Sequence, residues 1–453
     1  MRLSDALRLR PGQTVAFVGA GGKSSALRRL ALEAQGFWPV VLTTTTRLGS
    51  EQSDLAASHL VLRNESDLRR LPGLLADHPS LLATGPLTDE ESKWSGLDHQ
   101  QLEVVRRAVL RAGGILAVEA DGARGRSLKV PAAHEPQLPY GVDLVVPVVG
   151  LDALGTTIAG GRAHRPGDLA RFLGVPETDV IDEAMIARVL TSPEGALKAV
   201  PSQAEVRILL TKTDDSARLE SAGHIARLVI GAGSLPGGPL AHTRAVAAAQ
   251  LEAPDPVRAV WGRVAGVVLA AGGATRLERP KLIVPFRGRA LVTYAVEAAL
   301  QAGLDPVCVV VGHSGDEVRR AVETLPVRIV ENTEWQAGQS SSLRLGLAAV
   351  ADVSEAVVFL LADMPFVSFE TIGRLLARHA ETLAPIVAPA VQGRRGNPVL
   401  FDRAVFPELV SLTGDTGGRL LFSRWSVQDV PCDEKELMDV DTPQDLERLW
   451  SME

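Results

Sequence analysis

Cysteine is almost missing from this 453-residue chain. Its two cysteines, Cys308 and Cys432, cannot form a zinc cluster by themselves. Cys308 lies in the apolar run Val307-Cys308-Val309-Val310-Val311 and reads as a small core residue. Positive charge is not in excess. The formal net charge is -7, so no broad basic surface invites nucleic acid. A bilayer-spanning apolar stretch and a signal-peptide start are also lacking, so no membrane association and a cytoplasmic location are expected. Aromatics are scarce at 4%, beside plentiful Ala, Leu, Val and Arg, a coding bias that says nothing of function. There is no fixed-period repeat and no low-complexity tract. What is there suits a soluble globular protein: 46% apolar and 22% charged residues, and length enough for two or three cores.

Apolar strand-like runs alternate with helix-like segments in both halves, which predicts parallel sheets with helices on both faces. In the first half the strands fall near 14–19, 39–43, 115–119, 143–149 and 206–211. The segment Ser25–Gln35 between the first two has helical spacing. Leu251-Glu252-Ala253-Pro254-Asp255-Pro256 reads as a connector, and a fresh strand-loop-helix unit starts at Val264. The expectation is an α/β protein of two domains, each a mostly parallel doubly wound sheet: a P-loop-like one over 1–252, a linker over 253–262 and a Rossmann-like one over 263–453.

In the second half the run Val264-Ala265-Gly266-Val267-Val268 opens into Leu269-Ala270-Ala271-Gly272-Gly273, followed by Arg276 and Lys281. Backbone N–H groups of such a loop, with a bidentate arginine and a mobile lysine, suit a polyphosphate. Asp363 ends the apolar run Ala356–Leu361, where a doubly wound sheet binds ligands, and carboxylate oxygen is the natural partner of Mg²⁺. Asp441 is a second metal candidate. A capping turn, with Thr442 as N-cap and Pro443 in the first turn, accounts for it equally well when taken alone. Two such carboxylates could share metal and hold both the incoming phosphate and the α-phosphate.

This half resembles the MobA-like nucleotidyltransferases, specifically the molybdenum cofactor cytidylyltransferases. The resemblance rests on Leu269 to Gly272, Arg276 and Pro280-Lys281. It extends to Gly338-Gln339-Ser340-Ser341-Ser342-Leu343-Arg344-Leu345-Gly346-Leu347, Asp363-Met364-Pro365, Gly396-Asn397-Pro398-Val399-Leu400-Phe401, Gly414-Asp415-Thr416-Gly417-Gly418-Arg419 and Asp439 to Pro443. It covers 264–450 in order. Leu-Ala-Ala-Gly is the form of the cytidylyl branch. There are departures: the family often has Ser where Ala274 stands and Met-Gly where Leu277-Glu278 stand, which puts a carboxylate close to the expected triphosphate. The resemblance implies catalysis by Arg276, Lys281, Asp363 and Asp441, the two aspartates holding Mg²⁺. It implies nucleotide contacts from Leu269, Ala270, Ala271, Gly272, Gly273, Ser341 and Ser342, and acceptor contacts from Asn397, Pro398, Asp415 and Arg419. The implied reaction joins CTP to molybdopterin-bound molybdenum cofactor and releases pyrophosphate.

The first half has its own glycine-rich loop, Gly19-Ala20-Gly21-Gly22-Lys23-Ser24-Ser25, after the apolar run Val15–Val18. A full Walker A loop needs Gly five residues before Gly22, and Phe17 stands there. What remains is the shorter Gly-x-x-Gly-Lys-Ser-Ser form, similar to that of Mur-type ligases. Amides of 20–25, with Gly21, Gly22, Lys23, Ser24 and Ser25, could wrap a phosphate of ATP or GTP, and Ser24 or Ser25 could bind Mg²⁺. A tight glycine turn is the plainer alternative. Thr43 to Thr46 follow the second strand as phosphate contacts or as strand end. Glu119 or Asp121, after the strand 115–119, could orient water or hold metal. Thr211-Lys212-Thr213-Asp214 is similar to the guanine-reading segment of GTPases, with Thr in place of Asn.

These segments, with Val118 to Gly125, His134-Glu135-Pro136, Val149 to Gly155 and His164-Arg165, resemble an accessory-protein family of selenium-dependent molybdenum hydroxylases (YqeC-like). That resemblance covers about 10–235 and leaves the reaction open. His134 and His164 are candidates for metal or substrate contacts, although a lone histidine is more often a structural donor. Taken together, the chain reads as a maturation enzyme whose partners are the molybdenum cofactor and an apo-molybdenum hydroxylase. Two alternatives stay open: a nucleotidylyltransferase for a sugar phosphate or isoprenoid precursor, and a chaperone that carries cofactor.

Overall fold

The computed structural model describes residues 1–34, 38–88, 92–232, 242–272 and 280–451. The chain divides into two compact units, Met1–Trp261 and Gly262–Glu453. The first is built on a nine-stranded sheet. Its order from one edge is Val257–Gly262, Thr243–Ala249, Glu205–Thr211, Leu144–Gly150, Thr14–Gly19, Ile115–Glu119, Val40–Thr44, Ser80–Thr84 and Ser58–Val61. From Thr243–Ala249 onward every neighbouring pair is parallel. Parallel strands buried on both faces are continuous apolar runs, as in Leu144-Val145-Val146-Pro147-Val148-Val149-Gly150, buried throughout. After Thr14–Gly19 the chain fills one side of the sheet, returning last with Ile115–Glu119 beside the first strand, and then fills the other side. A crevice therefore opens beyond the carboxyl ends Gly19, Glu119 and Gly150.

Residues 253–262, expected as a linker, do not all behave as one. After Pro256 the chain forms the edge strand Val257–Gly262 of the first sheet, with Val257 and Ala259 buried and Arg258 between them exposed. Apolar Val257, Ala259 and Val260, buried at the sheet edge, make this stretch a strand despite the preceding prolines. The connection between the units is correspondingly short.

The second unit carries an eight-stranded sheet. Val264–Ala270 lies between Val307–Val311 and Ala356–Leu361, all parallel, with Arg328–Glu331 outside. Beyond Ala356–Leu361 the sheet turns mixed. Val399–Asp402 runs antiparallel to it and to Ile386–Val391. The reversal follows from a two-residue hairpin, Gln392-Gly393, where both residues have positive φ (49° and 82°). Alternate strand residues feed two layers. Val268, Val309 and Val358 meet Val292, Val318 and Ile372 on one face. Val267, Val310 and Phe359 meet Leu343, Leu347 and Leu409 on the other. Cys308 is fully buried in this core, where burial pushes its thiol up to about 11. Among the described residues no helix is long and apolar enough to cross a membrane.

Candidate functional sites in two glycine-rich crevices

In the second unit three segments meet at the carboxyl ends of the central strands. Lys281 begins a single 3₁₀ turn, Lys281–Ile283. Its Nζ donates to Asp363 Oδ2 at 2.6 Å and to Asp441 Oδ1 at 2.6 Å. Asp441 comes within reach because Val440 N–H donates to Asp363 O at 3.1 Å, stitching the two loops together. The capping turn is real as well. Thr442 accepts from Asp445 N–H, and Asp445 accepts from Asp441 and Thr442 N–H groups. Burial works against the Lys281 ammonium, but Asp363 and then Asp441 outweigh it and raise its pKa. Asp363 Oδ1 is buried and has no hydrogen-bond partner among the described residues. A carboxylate pair with one oxygen left unsatisfied fits a divalent cation.

Two cavities flank this cluster. The larger, about 600 Å³, is lined by Ala271, Gly272, Lys281, Ser342, Asp363 and Asp415, and the smaller, about 260 Å³, by Asn397, Arg419 and Asp439. Leu269, Gln339 and Leu361 belong to both walls. Gly338 (φ 103°) must be glycine, because a Cβ there would strike Gly414 and Asp415. That close approach places Asp415 at the start of the helix Gln339–Val350, where its Oδ1 accepts from Gln339 N–H at 3.3 Å. Asp415, expected at the acceptor, thus caps this helix and lines the larger cavity, not the smaller one. Ser341 differs from its expected role. Its hydroxyl donates to Gly338 O at 2.8 Å and, with Ser342, accepts from Asn332 Nδ2, so it braces the turn while Ser342 reaches the cavity. Ala270 and Pro398 are buried behind the wall. Gly273 and Arg276 lie outside the described residues.

The first unit has a cavity of about 720 Å³ over the same kind of strand ends, lined by Gly21, Gly22, Ser24, Ser25, Glu119 and Arg124 among others. Gly21 (φ 95°) lets the loop pass against Gly150, since a Cβ would collide with Gly150 N. Gly22 starts the helix Lys23–Glu33 with no side-chain cap, leaving N–H groups for an anion. Lys23 lines the cavity as well, but its ammonium is already engaged. Its side chain is 3% exposed, with Nζ donating to Gly19 O at 2.6 Å and paired to Asp121 at 3.2 Å and Glu119 at 3.8 Å.

Asp121, expected at a metal, is instead tied inward. Oδ2 accepts from Gly19 N–H at 2.9 Å and meets Lys129 Nζ at 3.0 Å. Of the two, Glu119 lines the cavity, where Ser24 Oγ donates to it at 3.1 Å. Burial raises its pKa, with Lys23 opposing.

The network continues through Glu135, whose Oε2 accepts from Lys129 at 2.8 Å, Ala132 N–H at 3.0 Å and Arg165 at 3.1 Å. Burial alone would raise the Glu135 pKa, but these partners hold it at about 2. A depressed carboxyl contributes stability that is complete above its unfolded pKa and is lost as pH falls through the folded one. Glu135→Gln should therefore destabilise the protein near pH 7, and its deficit against wild type should shrink between about pH 4.5 and pH 2. Thermal unfolding of both proteins across that range checks it. A constant deficit would show that the charge is not what matters.

A scan of family models matches residues 266–430 to the MobA-like NTP transferase domain and residues 15–167 to the YqeC protein. Nicotine blue oxidoreductase of Paenarthrobacter nicotinovorans is 37% identical over 197 residues, 41% of this chain and 96% of that protein. YqeC of Escherichia coli (strain K12) is 30% identical over 190 residues, 41% of this chain and 71% of that protein. The crystal structure of Rv0371c from Mycobacterium tuberculosis H37Rv covers 42% of this chain and 98% of its own at 32% identity, with a TM-score of 0.38. The chain belongs to both families, MobA-like in its second half and YqeC in its first.

Within the YqeC half, sequence reasoning singled out His134 and His164. The structure shows that their neighbours Glu135 and Arg165 pair with each other. His134 lines the cavity, and His164 does not. Thr43, Thr44 and Thr45 donate to backbone carbonyls of Ala83, Glu119 and Gln137, and only Thr46 reaches the cavity. Lys212 is at the wall, held by Ser127 and Asp152 at 2.9 Å each. Asp214 pairs with Arg218 at 3.2 Å and is not among the lining residues. In the MobA-like half, Asp439 was missed as a site residue. It lines the smaller cavity, and burial followed by the charges of Asp441 and Asp363 raises its pKa. Its place two residues before Asp441 was the available signal.

Proposed function

We propose that the MobA-like half transfers CMP from CTP to the terminal phosphate of molybdopterin-bound molybdenum cofactor, and that the YqeC half binds ATP or GTP and prepares or delivers the product to an apo-hydroxylase. The observation that carries the transfer reading is the convergence of Lys281, Asp363 and Asp441 at one point of the crevice. Asp363 and Asp441 would hold Mg²⁺, which when bound supplies charge neutralisation for the triphosphate. The acceptor phosphate oxygen attacks the α-phosphorus in line. A P–O bond forms, the α–β bridging bond breaks, and pyrophosphate leaves. The larger cavity, with backbone amides near Gly272 and the Lys281 stem, takes the nucleotide. The smaller one, with Asn397 and Arg419, takes the acceptor, and Arg419 offers its phosphate two parallel donors. Catalysis is then positioning and electrostatic stabilisation, without a covalent enzyme intermediate. The preference for CTP rests on Leu269-Ala270-Ala271-Gly272 and its resemblance to the cytidylyl branch.

The test is pyrophosphate release from each of the four NTPs, with purified molybdopterin cofactor or a panel of phosphorylated sugars and isoprenoid precursors as acceptor. CTP with the pterin should be the productive pair. Release only with another acceptor would redirect the substrate assignment. The Paenarthrobacter relative bears the name of an oxidoreductase. Consumption of a reduced nicotinamide nucleotide, with no NTP turnover, would replace the transferase reading.

A further inference from the structure

We propose that Lys281 and the divalent cation are alternative occupants of the Asp363–Asp441 pair. Lys281 would thereby set the site's selectivity, refusing a free metal ion and admitting one only together with a triphosphate. The inference rests on the transferase reading above. The ammonium already stands where a cation would be expected, 2.6 Å from one oxygen of each carboxylate. It is well enclosed, with 14% of the Lys281 side chain and 17% of the Asp363 side chain exposed. A lysine ammonium and a divalent ion drawn to the same two oxygens would stand close enough for their like charges to repel strongly, which favours one occupant at a time.

The lysine can leave. Its charge sits on a flexible four-carbon stem, and its side chain also borders the larger cavity, where phosphate oxygens offer it new partners. Once it turns to a triphosphate, Asp363 and Asp441 lose the cation that bridges them among the described residues, and a metal restores it. Asp363 Oδ1, buried and without a hydrogen-bond partner among the described residues while the lysine holds Oδ2, marks the pair as incompletely satisfied by lysine alone. Nucleotide and metal therefore bind with positive coupling, and each raises the other's affinity by the same factor.

The experiment is Mn²⁺ binding by the full chain, followed by electron paramagnetic resonance and calorimetry, with and without CTP, for wild type, Lys281→Met and Lys281→Gln. Lys281→Met should bind Mn²⁺ without nucleotide at least about tenfold more tightly than wild type. The coupling between CTP and Mn²⁺ should fall by a similar factor. Adding Asp363→Asn to Lys281→Met should erase the gain. Lys281→Gln keeps a hydrogen-bond donor facing the carboxylates, guards against a folding defect in the methionine variant, and should show the same sign. If both variants fold, by circular dichroism, and neither gains Mn²⁺ affinity, the inference is wrong. In that case Asp363→Asn still decides the reading beneath it. Loss of CTP-dependent Mn²⁺ binding in that variant leaves the metal site standing, and unchanged binding removes the site and the inference together.

Discussion

Asp363→Asn should reduce nucleotidyl transfer by about 10²–10³-fold or more while the protein stays folded, a loss of at least about 3 kcal/mol of transition-state stabilisation. Asparagine matches aspartate in shape, and Lys281 keeps Asp441 as a partner, so the backbone link between the Asp363 and Val440 loops has no reason to break. What disappears is one negative charge at the point where lysine, triphosphate and cation must be arranged. Steady-state pyrophosphate release gives the rate, and thermal unfolding gives the control. Turnover near the wild-type level would remove Asp363 from the site.

Lys23→Met should act on stability first. The ammonium is enclosed with Asp121 and Glu119, and removing it leaves a surplus negative charge among buried groups. Loss of one partner from such a network costs about 3–5 kcal/mol. It should be read as a shift in the urea transition of the N-terminal unit. Lys23→Met combined with Asp121→Asn removes charge in balance and should recover part of the loss. The loop sequence alone predicts something different: a lysine reaching the outer phosphate oxygens, whose removal costs nucleotide binding and little else. A variant as stable as wild type that no longer binds ATP or GTP in calorimetry would restore that simpler role.

Lys23 shows where sequence reading reaches its limit. Residue type and spacing announced a glycine-rich turn between strand and helix, and that turn is there. Which way the ammonium points was settled by Asp121, a residue 98 positions later in the chain. The same holds for Lys281, Asp363 and Asp441. Each was legible alone from its strand end or turn, but the bridge among them depends on the Val440–Asp363 hydrogen bond, which no local pattern encodes.

Strands were legible where parallel pairing buries both faces. The runs near 14–19, 115–119 and 206–211 stand within a residue of the observed ones. Thr243-Arg244-Ala245-Val246-Ala247-Ala248-Ala249 was not recognised, because alanine favours helix. Pairing with Glu205–Thr211 overrides that preference and buries Ala245 to Ala249 as a strand. Ser58–Val61 was missed because it lies at the sheet edge with only Leu60 fully buried, leaving little apolar pattern to read.

The bridge from Lys281 to Asp441 spans 160 positions of chain, and this sets an order in time. Synthesis proceeds at roughly 5–20 residues per second, and domains fold as they emerge. The Met1–Trp261 unit can close its sheet while the other is still being made. The transferase sheet can likewise assemble its three central strands once Leu361 has left the ribosome. For the stretch of translation that follows, Lys281 has one carboxylate instead of two. A nascent chain stalled late in that interval, after Asp415 has emerged, presents the walls of the larger cavity without Asp441, so on the proposed function ribosome-bound intermediates should be catalytically silent until the Asp439–Asp441 turn is delivered.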